Sequence, residues 1–234
     1  MKTPLLFIPG TLCNASLFTA QVADLADLAD CRVVDSSRAE TLSGMAALIL
    51  AEVSGPFALA GLSYGGILAF EIWRQAPERI TKLILLNTNH KAPAETTRTN
   101  QERFVGMAVL GKFNEITTHI LTDAMLHPAH AQQPEKRQAV LDMALNIGPD
   151  GFIRQVKAQL GRPDSTADLP HITCPTLLIA GRDDTICPPA LHEEMARLMP
   201  NAQLEIIDEC GHLSTLEQPE TVNRIIRAWW QNQP

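Results

Sequence analysis

Apolar positions along this chain follow two rhythms. Short continuous runs occur at 5–10 (LLFIPG), 31–37 (CRVVDSS), 57–63 (FALAGLS), 80–88 (ITKLILLNT), 176–181 (TLLIAG) and 202–210 (AQLEIIDEC), and each reads as a strand. Between them apolar residues recur at helical spacing. Leu17, Phe18, Val22, Leu25 and Leu28 form one such set, and Met45, Leu48, Ile49 and Val53 form another. Residues 65–76 read as a helix that Pro77 ends, 190–199 as a second, and Val222, Ile225, Ile226 and Trp229 mark one face of a last helix. Strands alternating with helices require crossover connections, so the pattern predicts an α/β fold: a mostly parallel sheet with helices on both faces. Uninterrupted runs such as LILL at 83–86 suit strands buried on both sides.

Residues 89–170 break this rhythm. Helical patches at 113–126 (with Phe113, Ile116 and Ile120), 135–147 and 152–160 follow one another with no strand-like run between them. The expected organisation is one domain, with residues 1–88 and 171–234 as core and 89–170 as a helical cap inserted over one sheet edge. In that cap Phe104, Met107, Val109, Leu110 and Met125 are candidates for lining an apolar pocket, although cap residues also have to pack against the body.

Composition narrows the partners. A length of 234 residues with 45% hydrophobic and 19% charged residues supports one large core. The net charge of −7 and the lack of a basic, aromatic-laced stretch argue against nucleic acid, and the sign argues against an anionic membrane surface. No apolar stretch is long enough to span a bilayer, and MKTPLLFIPG is too short an apolar run for a secretory signal. Five scattered cysteines without a CxxC pair fit a reducing compartment, so the expectation is a cytoplasmic protein, monomer or homodimer.

The chemistry concentrates at three strand ends. GLSYG (61–65) is G-x-S-x-G directly after a strand and directly before a helix, where a sharp reversal lifts Ser63 clear of the sheet. Side chains at 61 and 65 would collide in such a turn, and Gly66 lets the helix approach a neighbouring strand. A glycine-rich turn with an incidental serine is the plain alternative. A serine needs a base, and His212 stands in a loop after the strand at 202–210. The imidazole needs a carboxylate, and Asp183 and Asp184 follow the strand at 176–181. Singly, such a histidine is a solvated side chain and such acids a turn signal. The order serine, aspartate, histidine, each at a strand's C-terminal end, is what lifts the set above those readings.

On these residues the chain resembles the α/β-hydrolase family over nearly its whole length, most closely the small capped carboxylesterases. The family's acid falls in G-x-x-D-x-x-x-P, matched by Gly181, Asp184 and Pro188, which favours Asp184 over Asp183; its histidine motif G-H is Gly211-His212. The resemblance implies a serine esterase with Ser63, Asp184 and His212 as catalytic triad, the backbone amides of Thr11 and Tyr64 as oxyanion hole, a small-molecule ester substrate and no cofactor or metal. Pro9-Gly10-Thr11 stands where many members carry H-G-x, a departure that leaves the amide donor in place.

A serine nucleophile sets aside epoxide hydrolases and haloalkane dehalogenases, whose turn carries aspartate. Lactonases, thioesterases, C–C bond hydrolases, peptidases and acyltransferases stay open, as do a slow-turnover signalling receptor on the same scaffold and a catalytically silent interaction protein. His127 and His130 near Asp123 are weak metal candidates because Pro128 breaks their helical spacing. No phosphate-binding loop is present. Cys13 and Cys187 lack a nucleophile turn, so buried structural thiols are expected.

Overall fold

The computed structural model describes residues 2–232, and the side chains of residues 119–123 lie outside that description. Six strands, β1 (Thr3–Ile8), β2 (Ala29–Val33), β3 (Phe57–Leu62), β4 (Ile80–Leu86), β5 (Thr176–Gly181) and β6 (Ala202–Ile207), form one sheet in the order β2-β1-β3-β4-β5-β6. All five pairings are parallel. Their C-terminal ends therefore share one edge, with Ile8 level with Gly61, Leu62 with Leu86, and Gly181 with Ile207.

The alternation of side chains along each strand divides the core in two. Leu5, Phe7, Ala60, Leu62 and Leu177 face one layer, which contains α1 (Thr19–Asp24) and the C-terminal α7 (Pro219–Gln231), the latter through Val222, Ile226 and Trp229. Leu6, Ile8, Leu59, Leu85 and Leu178 face the other. It is covered by α2 (Leu42–Glu52), α3 (Tyr64–Gln75) and α6 (Pro189–Leu198), which bury Met45, Ile49, Leu68, Ile72 and Met195. All six residues of β3 and of β5 are buried, as their unbroken apolar sequence predicts.

Between β4 and β5 the chain is helical: α4 (Glu95–Val109), a set of short turns including Phe113–Glu115 and Pro128–Ala131, and the 27-residue α5 (Pro134–Leu160). The expected separate helices at 135–147 and 152–160 are the two arms of α5. They meet at a kink where Gly148 takes a positive φ of 69° ahead of Pro149. This segment has its own apolar cluster of Ala108, Phe113, Ile116, Ala144, Phe152 and Val156, into which Leu12 inserts from the body. Met125, Leu126, Val140 and Met143 join the main core instead.

Several sequence expectations shift. The strand read over 31–37 is β2, which ends at Val33, and that read over 202–210 is β6, ending at Ile207, because the residues beyond are loops of the functional edge. The helix read over 17–28 is α1 flanked by tight turns at Ala15–Phe18 and Leu25–Asp27. Val109 and Leu110 are 69% and 76% exposed and face solvent; Phe104 and Met107 pack on the local cluster. The expectation for Ile120 concerns a side chain outside the described residues. Among the described residues no helix is long and apolar enough to cross a membrane.

The edge is fastened from the side by α6. Its fully buried His192 accepts the Thr88 backbone N–H at Nε2 (3.2 Å), just past β4. Burial drives the His192 pKa down to about 4. Between about pH 6.5 and 4 the unfolded chain binds a proton here that the folded chain refuses, so this contribution is complete above pH 6.5 and lost as pH falls toward 4. Urea unfolding of His192→Gln, which keeps an acceptor but does not titrate, is expected to show a shallower loss of stability over that window, by about one proton's worth of slope. Parallel curves for the two proteins would contradict the assignment.

Candidate active site

Ser63 stands between the last residue of β3 and the first of α3, with φ 56° and ψ −116°. A non-glycine residue holds such a conformation only when its surroundings enforce it. Here the Ser63 N–H donates to Leu86 O (2.9 Å), and its carbonyl accepts the Thr88 hydroxyl (2.6 Å) and the amides of Gly66 and Ile67. A Cβ on Gly61 would meet the Gly65 carbonyl, and one on Gly65 would run into the carbonyl oxygen of Ile8 on β1. The missing side chains are thus the condition for the tight reversal. Gly66 serves a different contact, since a Cβ there would overlap Thr88.

The three strand-end residues converge. His212 Nε2 lies 2.8 Å from Ser63 Oγ, and His212 Nδ1 lies 2.8 Å from Asp184 Oδ2. An ionised Asp184 fixes the proton on Nδ1, which leaves Nε2 as acceptor for the serine hydroxyl. Burial by itself would raise the Asp184 carboxyl. The facing His212, the amide of Cys187 and the side chain of Asn87 outweigh it and hold the pKa below the ordinary aspartate value. Asp184 Oδ1 takes the N–H groups of Ile186 and Cys187 (2.9 Å each), while Oδ2 also takes Asn87 Nδ2 (3.0 Å). Asp184 and His212 are 3% and 2% exposed, and Ser63 is only partly buried, so the hydroxyl is the member of the set a ligand can reach. Asp183 is exposed, with its carboxylate 3.7 Å from His127 Nε2 rather than at His212. Gly181 accounts for the start of the acid motif: a Cβ there would overlap the carbonyls of Cys210 and Gly211.

Two supporting residues escaped sequence reasoning. Asn87, in the positive-φ region at 45°, joins Asp184 to the Gly211 carbonyl through Nδ2. Glu217 is buried under the histidine loop. Its carboxylate accepts the amides of Gly211, Leu213 and His127 and faces His130 Nδ1 at 2.8 Å. Met125 O accepts the amides of His212 and Leu213, so the helical segment grips this loop at several points. His127 and His130 are engaged in these contacts, and the Asp123 side chain proposed beside them is outside the described residues. The metal-ligand types that do converge among the described residues are Asp184, Cys187 and His212. Burial pushes the Cys187 thiol well up, and the other two face each other. Burial also raises the Cys13 thiol, to about 12; both stay protonated and poorly nucleophilic.

The two residues expected to supply the oxyanion amides are Thr11 and Tyr64. Tyr64 opens α3, where the first N–H groups have no intrahelical acceptor. Thr11 follows Gly10, whose Cβ position lies 3.2 Å from Ser63 Cβ. A cavity of about 330 Å3 borders the same loop, lined by Pro9, Cys13, Asn14, Ser36, Asn146 and Ile147 among others, and not by Ser63.

Residues 5–225 match the model of the alpha/beta hydrolase family, and the chain belongs to that family. Over its whole length it is similar to a thermophilic esterase from Thermogutta terrifontis solved with malate bound: TM-score 0.89, 28% identity, 99% of this chain and 90% of that one. An enol-lactonase from Burkholderia xenovorans LB400 has the same fold (TM-score 0.88, 16% identity, covering 99% and 93%). Among curated relatives, the pimeloyl-[acyl-carrier protein] methyl ester esterase of Aromatoleum aromaticum is 26% identical over 79% of this chain and 78% of that protein. A putative carbamate hydrolase RutD of Stutzerimonas stutzeri is 43% identical, but over 32% of this chain and 28% of the relative's length.

Glu217→Ala strands three amides at once, two of them in buried bonds. We expect it to lower unfolding free energy by about 3 kcal/mol or more, read by chemical denaturation. A loss below about 1 kcal/mol would show that the loop does not depend on this carboxylate.

Proposed function

We propose that the protein is a carboxylic ester hydrolase working through an acyl-enzyme on Ser63. One observation carries the reading: an unbroken hydrogen-bonded chain from Ser63 Oγ through His212 to a buried, charge-stabilised Asp184, with the serine alone accessible. Ser63 Oγ attacks the acyl carbon while His212 Nε2 takes its proton. The ester C=O becomes an oxyanion facing the backbone N–H groups of Thr11 and Tyr64. Collapse expels the alcohol, which receives the proton from His212. Water, deprotonated by His212, then attacks the acyl carbon and releases the acid and Ser63. Asp184 stabilises the imidazolium in both halves.

Residues 89–170 act as the cap of this site, since they hold the histidine loop through the Met125 carbonyl and through the His127 amide donated to Glu217, and cover the sheet edge where the cleft must lie. The substrate is a small or medium-sized ester, met in the cytoplasm, where the five unpaired cysteines stay reduced. The relatives' names extend to an enol-lactonase and a 2-hydroxy-6-oxononadienedioate/2-hydroxy-6-oxononatrienedioate hydrolase, and the same nucleophile and oxyanion site would serve a lactone as well.

The test is turnover of p-nitrophenyl esters of graded chain length, beside a lactone panel. Ser63→Ala is expected to lose at least about 10⁴-fold in kcat with unchanged thermal stability. Asp184→Asn is expected to lose about 10³–10⁴-fold and Asp183→Asn only a few-fold. A Ser63→Ala protein that keeps most of its activity would overturn the reading, and equal losses in the two aspartate variants would reassign the acid.

A further inference from the structure

The loop that carries Thr11 is not held by the body alone. Leu12 has a positive φ of 60°, which a branched apolar side chain rarely adopts. Its N–H donates to Gln155 Oε1 (3.0 Å), and the neighbouring Thr11 hydroxyl accepts from Gln159 Nε2 (2.8 Å). Both glutamines belong to the second arm of α5. Their i, i+4 spacing puts them on one face of it, and they are 0% and 7% exposed. Gln159 Nε2 also reaches Gln155 O (3.3 Å), and Gln155 Nε2 lies 3.5 Å from Ser36 Oγ. The Leu12 side chain is itself buried in the apolar cluster that contains Phe152 and Val156 of α5.

Long polar side chains are seldom fully buried without a task. These two touch the loop at the residue proposed to donate to the oxyanion and at the strained residue after it. The bond to Gln155 also occupies the Leu12 amide, so that amide cannot turn toward a substrate in place of Thr11's. We propose that Gln155 and Gln159 are positioning residues for the oxyanion hole. In this arrangement the cap holds one of the two donors in its working geometry. This rests on the ester-hydrolase reading above. Without the clamp, Leu12 relaxes from its strained conformation and swings the Thr11 N–H off the developing charge. A misplaced donor acts in the transition state and little in ground-state binding, so the loss falls on kcat.

The experiment compares wild type with Gln155→Met, which keeps length and volume but removes the acceptor. The readouts are p-nitrophenyl butyrate kinetics, inhibition by an alkyl trifluoromethyl ketone and thermal melting. The ketone adds Ser63 Oγ at its carbonyl carbon, leaving an oxyanion, while the proton passes to His212. We expect kcat to fall about 10–100-fold, KM to stay within about threefold, and affinity for the ketone to weaken by a factor similar to the fall in kcat. A merely structural role would lower the melting temperature and leave kcat and ketone affinity of the folded protein as in wild type; that outcome overturns the proposal. Should Gln155→Met fail to fold, the decision passes to Gln159→Met, Thr11→Val and their combination. Each single change is expected to lower kcat, and the double to lower it no further than the worse single, because both cut one bond. Additive losses, or none, overturn it. Ser63→Ala separates the two levels. If that variant stays active the ester-hydrolase reading fails, whereas an inert Ser63→Ala beside a fully active Gln155→Met removes only the clamp.

Discussion

The site depends on the backbone of Ser63. A serine at positive φ stores roughly 1–3 kcal/mol of strain, and it persists because four hydrogen bonds and two side-chain-free neighbours leave the chain no other path. Those bonds come from β4, from Thr88 beyond it and from the first turn of α3 itself. The serine therefore inherits its position from the parallel sheet, whose register sets Leu62 beside Leu86 and aligns the strand ends that bear Asp184 and His212. Displacing β4 relative to β3 would move the hydroxyl away from the imidazole.

Electrostatics complete what the backbone begins. A carboxylate as buried as Asp184 is tolerable because four donors surround it: two amides, the Asn87 side chain and the imidazole. Glu217 solves the same problem on the other side of His212, and there its donors come from both the histidine loop and the helical segment. The two carboxylates hold His212 between them. One acts on its ring, the other on the backbone to either side.

Much of this was legible in the sequence because it is local. Near-continuous apolar runs mark strands buried on both faces, and G-x-S-x-G after such a run announces the reversal at Ser63. The family's motif from Gly181 to Pro188 favours Asp184 over its neighbour; in the structure Asp184 faces His212 while Asp183 lies beside His127, and Gly181 lets Cys210 and Gly211 pass. What escaped was long-range or polar. The helix Glu95–Val109 has a polar, Thr-rich first half with no apolar stripe, so periodicity could not announce it. The strand readings at 31–37, 80–88 and 202–210 run past the observed ends at Val33, Leu86 and Ile207, because no glycine or proline marks the stop in 34–37, 87–88 or 208–210. Asn87, Glu217, Gln155 and Gln159 do their work across sequence separations that no local pattern encodes. At most, the i, i+4 glutamines hint at a polar face on an otherwise packed helix.

The central claim is that Ser63 becomes covalently acylated during turnover. The most direct measurement is rapid acid quenching of the protein with p-nitrophenyl acetate, followed by intact-mass analysis and peptide mapping. The account predicts one acetyl group, located on the peptide bearing Ser63 and absent from Ser63→Ala. Turnover of the ester with no adduct on that peptide, or with the acetyl group on another residue, would contradict it.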